Sequence, residues 1–401
     1  MSLCCPFREK NTVPSLITGT RAFCLRQFLK LFFIKTALTV YRNPLRGFKA
    51  LMRIQTYRQS FEGKKSIMRK FVRAGRKYYF ATDSPGFPGT PFRELIIDEC
   101  KRRGVFPAGQ QEDYIPVQTL FWGITNRCPL QCSHCYDWDN IDTKDRLSPD
   151  QLMRILDIFR QQGIRHIQLS GGEPMVRFDD LLRIVKAASP VMECWLLTSA
   201  FGFSASRARA LKEAGLLGVN ISLDHWQEEK HNDFRKHNQS FQWAMQAIEH
   251  GLHAGLLISL SLCVTRQMAT WENLMEYAIL ARNRGVHFLR ILEPREVGRF
   301  SGGDVRLDPA QVDLISRFVR QMNTQRQYRN FPVMVFFGYH QRILGCMGAG
   351  DRYLYVDANG EMHACPFCRG SMGNLLELPY RDILKKVQER GCHIFSKAIL
   401  W

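Results

Sequence analysis

A chain of 401 residues with 45% hydrophobic content has material for roughly two or three buried cores, which excludes a disordered or low-complexity protein. Its formal net charge of +19 is unevenly placed, because residues 1–82 hold eighteen Lys or Arg against only Glu9 and Glu62, and the remainder is nearly neutral. That asymmetry excludes a generally basic enzyme and points to a basic segment facing an anionic partner. The 13 cysteines include C-x3-C-x2-C and C-x2-C groups, which are metal spacings rather than a secreted disulfide framework, so a reducing, cytoplasmic setting is expected.

Residues 1–82 read as a basic helical N-terminal extension. The opening Met-Ser-Leu-Cys4-Cys5 lacks the charged region and apolar run of a secretory signal, and Cys4 and Cys5 read as unremarkable terminal thiols. Arg21 to Tyr41 is apolar but broken by Arg26, Lys30 and Lys35, too charged for a membrane span. Its charges fall on opposite sides of a helix, so little amphipathicity is expected. From Arg42 to Lys77 basic residues alternate with Phe48, Leu51, Met52, Ile54, Tyr57, Phe61 and Phe71. This suits an anionic membrane surface, an acidic partner or nucleic acid, with a solvated basic face on packed helices as the plainer alternative. The many aliphatics and the lack of an RNA-binding motif place the membrane surface ahead of nucleic acid. Residues 83–116 read as a linker, because Asp83-Ser-Pro-Gly-Phe-Pro-Gly-Thr-Pro-Phe92 packs three prolines and two glycines together. A short helix, Arg93 to Arg103, is expected beneath the core domain.

From Val117 strands alternate with helices. Strands are expected at 117–124, 164–169, 192–198, 217–223, 256–264 and 287–292. The helices between them run from Ser148, a capping residue before Pro149, to Gln162, and then from Asp179, Ser204, Ser240 and Glu272. This alternation implies an α/β fold with a parallel sheet and right-handed crossovers, and six units make a partial (β/α)6 TIM-like barrel over residues 117–300. In such barrels chemistry sits at the C-terminal ends of the strands.

The first strand ends in Cys128-Pro-Leu-Gln-Cys132-Ser-His134-Cys135. Three thiolates on one loop can hold three irons of a 4Fe-4S cube and leave the fourth iron open. A zinc knuckle is the alternative, but it needs a fourth ligand nearby and His134 is pinned between two of the cysteines. After the second strand comes Gly171-Gly172-Glu173-Pro174, where the glycines allow close backbone approach to a ligand and Glu173 can accept hydrogen bonds from an amine. The third strand ends Thr198-Ser199-Ala200, and the fourth ends Ser222-Leu-Asp224, an acid that can face a ligand or cap the next helix.

Residues 301–401 read as a small cysteine-rich C-terminal domain. It comprises a turn at Ser301-Gly-Gly-Asp304, a helix from Asp308 to Asn323, and Cys346, Cys365, Cys368 and Cys392. A hairpin with an Asn359-Gly360 turn leads from Tyr353 to Cys365. Cys100, Cys194 and Cys263 lack metal spacing and read as buried apolar thiols.

Together these motifs resemble the radical S-adenosylmethionine (radical SAM) enzymes, whose hallmark is C-x3-C-x-aromatic-C after the first strand of a partial barrel, with His134 here in the aromatic position. The resemblance implies a 4Fe-4S cluster on Cys128, Cys132 and Cys135, with S-adenosyl-L-methionine bound at its open iron. It further implies cofactor contacts from His134, Gly171, Gly172, Glu173, Pro174, Ser199, Ser222, Asp224 and Arg235, with Arg235 or Arg299 taking the methionine carboxylate or else serving surface ion pairs. One electron, from a donor such as a flavodoxin or ferredoxin, would cleave the sulfonium, and the 5'-deoxyadenosyl radical would abstract hydrogen from a peptide or small molecule. The stretch from Cys346 resembles the start of the SPASM extension, C-x9 to 15-G-x4-C. The later C-x2-C-x5-C-x3-C of the full form is missing, so one auxiliary iron-sulfur cluster is implied on Cys346, Cys365 and Cys368, with Cys392 as its fourth ligand or else a buried thiol. Modification of a lipid or membrane-linked metabolite, action on nucleic acid, and a non-catalytic iron-sulfur electron carrier are the competing readings.

Overall fold

The computed structural model describes residues 13–41, 43–62, 69–107, 114–368 and 370–392. Cys4 and Cys5, and parts of the expected basic extension, lie outside the described residues.

The chain opens with β1 (Ser15–Ile17), α1 (Gly19–Tyr41), α2 (Pro44–Glu62), β2 (Phe71–Ala74), β3 (Lys77–Tyr79) and α3 (Thr90–Lys101). The three strands form a small antiparallel sheet in the order β1-β2-β3. Phe71, Phe87, Phe92, Ile96 and Cys100 pack against Ala22, Leu25 and Tyr41 of α1 in one core. The proline-rich stretch expected as a linker therefore supplies part of a lobe's interior. Its aromatics are buried rather than left in water, which compensates for an irregular backbone.

The central sheet is built from β4 (Thr119–Gly123), β5 (His166–Ser170), β6 (Glu193–Thr198), β7 (Gly218–Ser222), β8 (Leu257–Cys263) and β9 (Phe288–Leu292), all paired in parallel and in chain order. The six expected strands are present with ends shifted by no more than two residues. Between them run α4 (Pro149–Gln161), α5 (Phe178–Ala188), α6 (Ala205–Glu213), α7 (Glu228–Arg235), α8 (Ser240–His253) and α9 (Trp271–Asn283). Ser148 caps α4 as expected: its hydroxyl accepts from the Gln151 amide while the Gln151 side chain returns the bond, and Pro149 sits in the first turn. The strands are buried on both faces, with apolar residues such as Ile167, Leu169, Val219 and Ile221 alternating with buried polar ones such as Gln168, Asn220, Ser259 and Arg290, as suits a partial TIM-like barrel covered by helices on one side and enclosing a site on the other.

The described residues from 301 to 392 share the barrel's core rather than forming a separate one. After α10 (Pro309–Thr324), β10 (Val333–Phe336) joins the sheet beside β9, and α11 (Phe337–Leu344) follows. Then β11 (Tyr353–Val356) pairs in parallel with β4 on the opposite edge, and β12 (Met362–His363) turns back on it, before α12 (Tyr380–Arg390). Leu354, Val356, Met362, Ile383 and Val387 share one hydrophobic cluster with Leu120 and Trp122. The hairpin sits against β4 and so delivers its cysteines next to the loop leaving that strand.

The N-terminal lobe covers the barrel's lower end. Val72 and Tyr79 pack with Trp195, Leu257, Phe288 and Val333, which stand at or near the N-terminal ends of four strands. Lys70 Nζ donates to the carbonyls of Phe331 (2.9 Å) and Pro332 (3.3 Å), and Lys77 pairs with Glu193 at 2.8 Å. The basic extension is thus a structural cap rather than a free arm. Its sequence gave no hint of this, because a Phe or Lys in a basic run looks the same whether it meets water or a strand end.

Candidate active site

A cavity of about 330 Å³ opens at the C-terminal ends of the strands. Cys128, Cys132 and Cys135 all line it, on the loop that leaves β4. The root of that loop is held by Asp145, a residue that no sequence pattern singled out. Its carboxylate accepts from the Thr125 hydroxyl (2.8 Å) and the Asn126 amide (2.9 Å), and pairs with Arg127 at 3.0 Å. Gly298 clamps the far end, where a Cβ would stand 2.1 Å from the Cys135 carbonyl, and the next amide, Arg299, donates to that carbonyl at 3.0 Å.

His134 is half-buried in the cavity wall and stacks on Phe234 with ring centroids 4.6 Å apart. Burial pushes its imidazole down to about 4, so it is neutral near pH 7. It fills the aromatic position by stacking. Burial likewise pushes the Cys128 thiol up to about 12 and the Cys135 thiol up to about 11, so a cation must displace their protons before they can act as thiolate ligands. Among the described residues no group of three His, Cys, Asp or Glu is gathered for a single metal ion. Three thiols on one loop around a cavity of this size fit an iron-sulfur cube.

The glycine pair does something the sequence did not reveal. A Cβ on Gly171 would lie 2.4 Å from the Thr125 carbonyl, and one on Gly172 would lie 2.4 Å from the Arg127 carbonyl. The two strand ends are stitched by the Gly172 amide donating to Thr125 and the Glu173 amide to Arg127, both at 2.8 Å. Both glycines also line the cavity, so their bareness serves the loop and the cavity together. Pro174 is buried at the start of a short 3-10 turn.

Glu173 was expected to offer its carboxylate to an amine, and the geometry differs. The side chain is wholly buried, outside the cavity lining, and accepts from Thr198 Oγ1 (2.7 Å), the Ser199 amide (2.7 Å), Ser199 Oγ (2.5 Å) and the Met175 amide (3.0 Å). With these bonds made, it ties the ends of β5 and β6 together. Burial raises its carboxyl despite the four donors. Ser199 therefore reaches the cavity wall with its hydroxyl already engaged, while Ser222 lines the cavity at the end of β7.

Asp224 and Arg235 form the one buried ion pair in this wall among the described residues. Arg235 Nε meets Asp224 Oδ2 at 2.6 Å, and its Nη1 donates to Cys132 Sγ at 3.7 Å. Asp224 also accepts from the Cys263 amide (3.0 Å), and its own amide donates to His231 Nδ1 (3.0 Å). Burial alone would raise the Asp224 carboxyl, but Arg235, with His134 and His231 nearby, holds it below its ordinary value. Arg299 stands apart, its guanidinium over Trp138 and donating to the Gln131 carbonyl at 2.7 Å. Cys263, read as a plain buried thiol, in fact lines the cavity; Cys100 and Cys194 are buried away from it.

The hairpin expected between Tyr353 and Cys365 is present, with β11 and β12 paired antiparallel. Asp357 Oδ1 accepts from the amides of Asn359 (2.9 Å) and Glu361 (3.0 Å), and Gly360 takes a φ of 84° in the turn. The Cys368 amide donates to Cys365 Sγ at 3.2 Å and the Gly348 amide to Cys346 Sγ at 3.3 Å, bonds that favour thiolate. The Cys365 thiol is lowered, chiefly by a hydrogen bond from Cys368, while Cys346 and Cys368 are each hydrogen-bonded to Cys392 and raised. Cys392 thus lies beside both Cys346 and Cys368, and Cys365 beside Cys368. Phe367, between Cys365 and Cys368, stacks edge-on against Tyr136 at 5.9 Å, and Tyr136 directly follows Cys135. The two cysteine groups flank one cavity.

A family model described as the radical SAM superfamily matches residues 122–281, the span holding the first cysteine loop, the glycine pair and the Asp224–Arg235 pair. Residues 122–281 thus carry a radical SAM domain. Members of this family use a 4Fe-4S cluster and S-adenosylmethionine. The chain is 32% identical over 202 residues to the GTP 3',8-cyclase of Moorella thermoacetica, covering 49% of this chain and 61% of that protein. It thus spans less than two thirds of the length of this relative. The AdoMet-dependent heme synthase of Oleidesulfovibrio alaskensis is 24% identical over 301 residues, 69% of this chain and 76% of the synthase. Among solved structures, Streptococcus suis SuiB bound to its precursor peptide SuiA superposes with a TM-score of 0.56 at 14% identity, covering 73% of this chain and 76% of SuiB, a likeness of fold.

Proposed function

We propose that this radical SAM enzyme binds its catalytic 4Fe-4S cluster through Cys128, Cys132 and Cys135 and modifies a peptide or small molecule inside the barrel cavity. The observation that carries this reading is the convergence of the three thiols, the Gly171-Gly172 backbone and the Arg235–Asp224 pair on one cavity at the strand ends. Bound there, the cluster and S-adenosylmethionine supply reductive carbon–sulfur cleavage and hydrogen abstraction. The chain's own part is to hold and to exclude. Asp145 and Gly298 fix the two ends of the cysteine loop, Arg235 offers positive charge to Cys132, and Phe121, Leu197, Phe300 and Phe337 keep the cavity walls apolar. Ser222 is left as an uncommitted hydroxyl for the cofactor. Glu173 acts as a positioning residue through Thr198 and Ser199.

Cys346, Cys365, Cys368 and Cys392 hold one auxiliary iron-sulfur cluster in this reading, supported by their mutual hydrogen bonds. The electron donor is a small redox protein such as a flavodoxin or ferredoxin, and the setting is a reducing cytoplasm, in keeping with the metal-type spacing of the cysteines. The peptide option draws on the likeness to SuiB, and the small-molecule option on relatives named GTP 3',8-cyclase and heme synthase. A second reading, a membrane-linked substrate, is favoured by the exposed apolar and basic face of α1 and α2.

Anaerobic reconstitution followed by iron analysis and electron paramagnetic resonance tests the assignment. Reduced protein should show a cluster signal that changes on adding S-adenosylmethionine. The Cys128→Ala, Cys132→Ala, Cys135→Ala variant should lose that change and about four irons per chain while keeping the auxiliary signal. A signal indifferent to S-adenosylmethionine in the wild type would leave an electron carrier as the better reading.

A further inference from the structure

We propose that the outer face of α1 and α2 docks on an anionic lipid bilayer. α1 has charges on opposite sides, which is why it reads as poorly amphipathic, yet its two apolar sides have different fates. Ala22, Leu25, Leu29, Ala37 and Tyr41 are buried in the cap, whereas Phe23, Leu31, Ile34 and Leu38, which recur at spacings of three, four and eight along the other side, are 42–62% exposed. On α2, Leu45, Phe48 and Met52 are 80%, 64% and 45% exposed at the same kind of spacing. Seven of the ten large hydrophobics exposed among the described residues lie on these two helices. Near the junction the helices approach closely, since a Cβ on Gly47 would stand 3.3 Å from the Ala37 carbonyl, and Leu38 is thereby brought towards Leu45 and Phe48.

Charge selects the occupant. Lys30, Lys35, Arg46, Lys49 and Arg53 are exposed among these apolar side chains, and the sequence holds no Asp or Glu from Lys10 to Phe61. A second copy of the chain would bring two such acid-free surfaces together, so like charges would face each other. A nucleic-acid backbone would satisfy the lysines and arginines but leave seven large apolar side chains in water. An anionic membrane interface takes both: headgroups meet the cations and the acyl boundary takes the Leu, Ile and Phe side chains. Among the described residues no helix is long and apolar enough to cross a membrane, which fits helices lying in the interface plane.

The face is also mechanically joined to the site. α2 packs against α11, whose Phe337, Gly338 and Gln341 line the cavity, and the cap's Lys70 and Lys77 bond to the barrel. A docked cap would therefore be linked through α11 to one part of the cavity wall. The docking rests on the α1–α2 surface alone and stands or falls separately from the chemistry at the cysteines.

The test is flotation of the full chain with vesicles of phosphatidylcholine carrying about a quarter phosphatidylglycerol. Removing residues 1–82 is unsuitable because it would strip Val72 and Tyr79 from the barrel's lower end. Two surface variants serve instead: Leu31→Ser, Leu38→Ser, Phe48→Ser, and Lys30→Glu, Lys35→Glu, Lys49→Glu, Arg53→Glu. Expected are co-flotation of the wild type with the anionic vesicles, at least about tenfold weaker partition to pure phosphatidylcholine, and at least about tenfold loss in each variant, with thermal unfolding unchanged. No flotation of the wild type, flotation undiminished in both folded variants, or binding of a single-stranded RNA in preference to the vesicles would overturn the proposal.

Discussion

Replacing Arg235 by Met tests how the cavity wall is held. In the folded protein Asp224 is buried and its Oδ2 depends on the Arg235 guanidinium at 2.6 Å, while Oδ1 keeps the Cys263 amide at 3.0 Å. Removing the cation leaves a buried carboxylate with one donor and takes away the donor to Cys132 at 3.7 Å. Breaking one side of a buried pair costs about 3–5 kcal/mol, because the remaining charge is still desolvated. Denaturant unfolding of the metal-free protein at pH 7 should show a loss of that size. The loss should also depend on pH. In the wild type the Asp224 carboxyl is held below its unfolded value, so its contribution is complete above about pH 4 and disappears only as pH falls further. In Arg235→Met the guanidinium no longer opposes burial, so the carboxyl rises, and the folded variant takes up a proton at a higher pH than it does in the wild type and regains stability as pH falls. Adding Asp224→Asn to Arg235→Met should recover a good part of the loss at pH 7. A cost under about 1 kcal/mol, or no recovery in the double variant, would refute the view that this pair is uncompensated without its cation.

Other expectations follow from neighbouring contacts. Glu173→Ala strips the acceptor from Thr198, Ser199 and the Met175 amide, and should cost about 2–4 kcal/mol in unfolding measurements on metal-free protein; an unchanged midpoint would return Glu173 to a purely cofactor-facing role. Gly172→Ala places a methyl against the Arg127 carbonyl and should cost about 1–3 kcal/mol, with iron at the first site falling and iron at the auxiliary site retained. Lys70, which burial lowers to about 7, binds fewer protons folded than unfolded between pH 7 and 10, so wild-type stability should gain up to about 1.4 kcal/mol per pH unit from this group there. Lys70→Met should flatten that slope in denaturant titrations at several pH values, and an identical slope would show that Lys70 does not titrate in the cap.

Much of the barrel could be read from the chain because its signals are local. The Val117–Ile124 run, the Ser148-Pro149 cap and the Asn359-Gly360 turn each carry their geometry in a few adjacent residues, and the structure places strand, helix and hairpin there. The cysteine spacings were equally local. What escaped notice depends on pairing across the fold. Glu173 meets Thr198 and Ser199, about two dozen residues on, only because β5 and β6 are neighbours, so its isolated tetrapeptide could not show that its carboxylate was already engaged. Asp145 and Gly298 hold the two ends of the cysteine loop from positions that both lie beyond it in sequence, Gly298 from the far end of the barrel domain. The cap was read as an arm and a linker because charge density and prolines describe solvent preference, whereas Phe71, Phe87 and Phe92 find one another through packing. Cys392, which the sequence leaves open between fourth ligand and buried thiol, comes beside Cys346 and Cys368 by the return of the chain through α12.

The account's central claim is that the Cys128, Cys132 and Cys135 loop supports reductive cleavage of S-adenosylmethionine. The most direct measurement is 5'-deoxyadenosine formation by anaerobically reconstituted full-length protein with a strong reductant, comparing wild type with the Cys128→Ala, Cys132→Ala, Cys135→Ala variant. Formation by the wild type and none by the variant is the predicted result. Equal formation by both would contradict the claim, as would a wild type that carries its cluster yet neither binds nor cleaves S-adenosylmethionine.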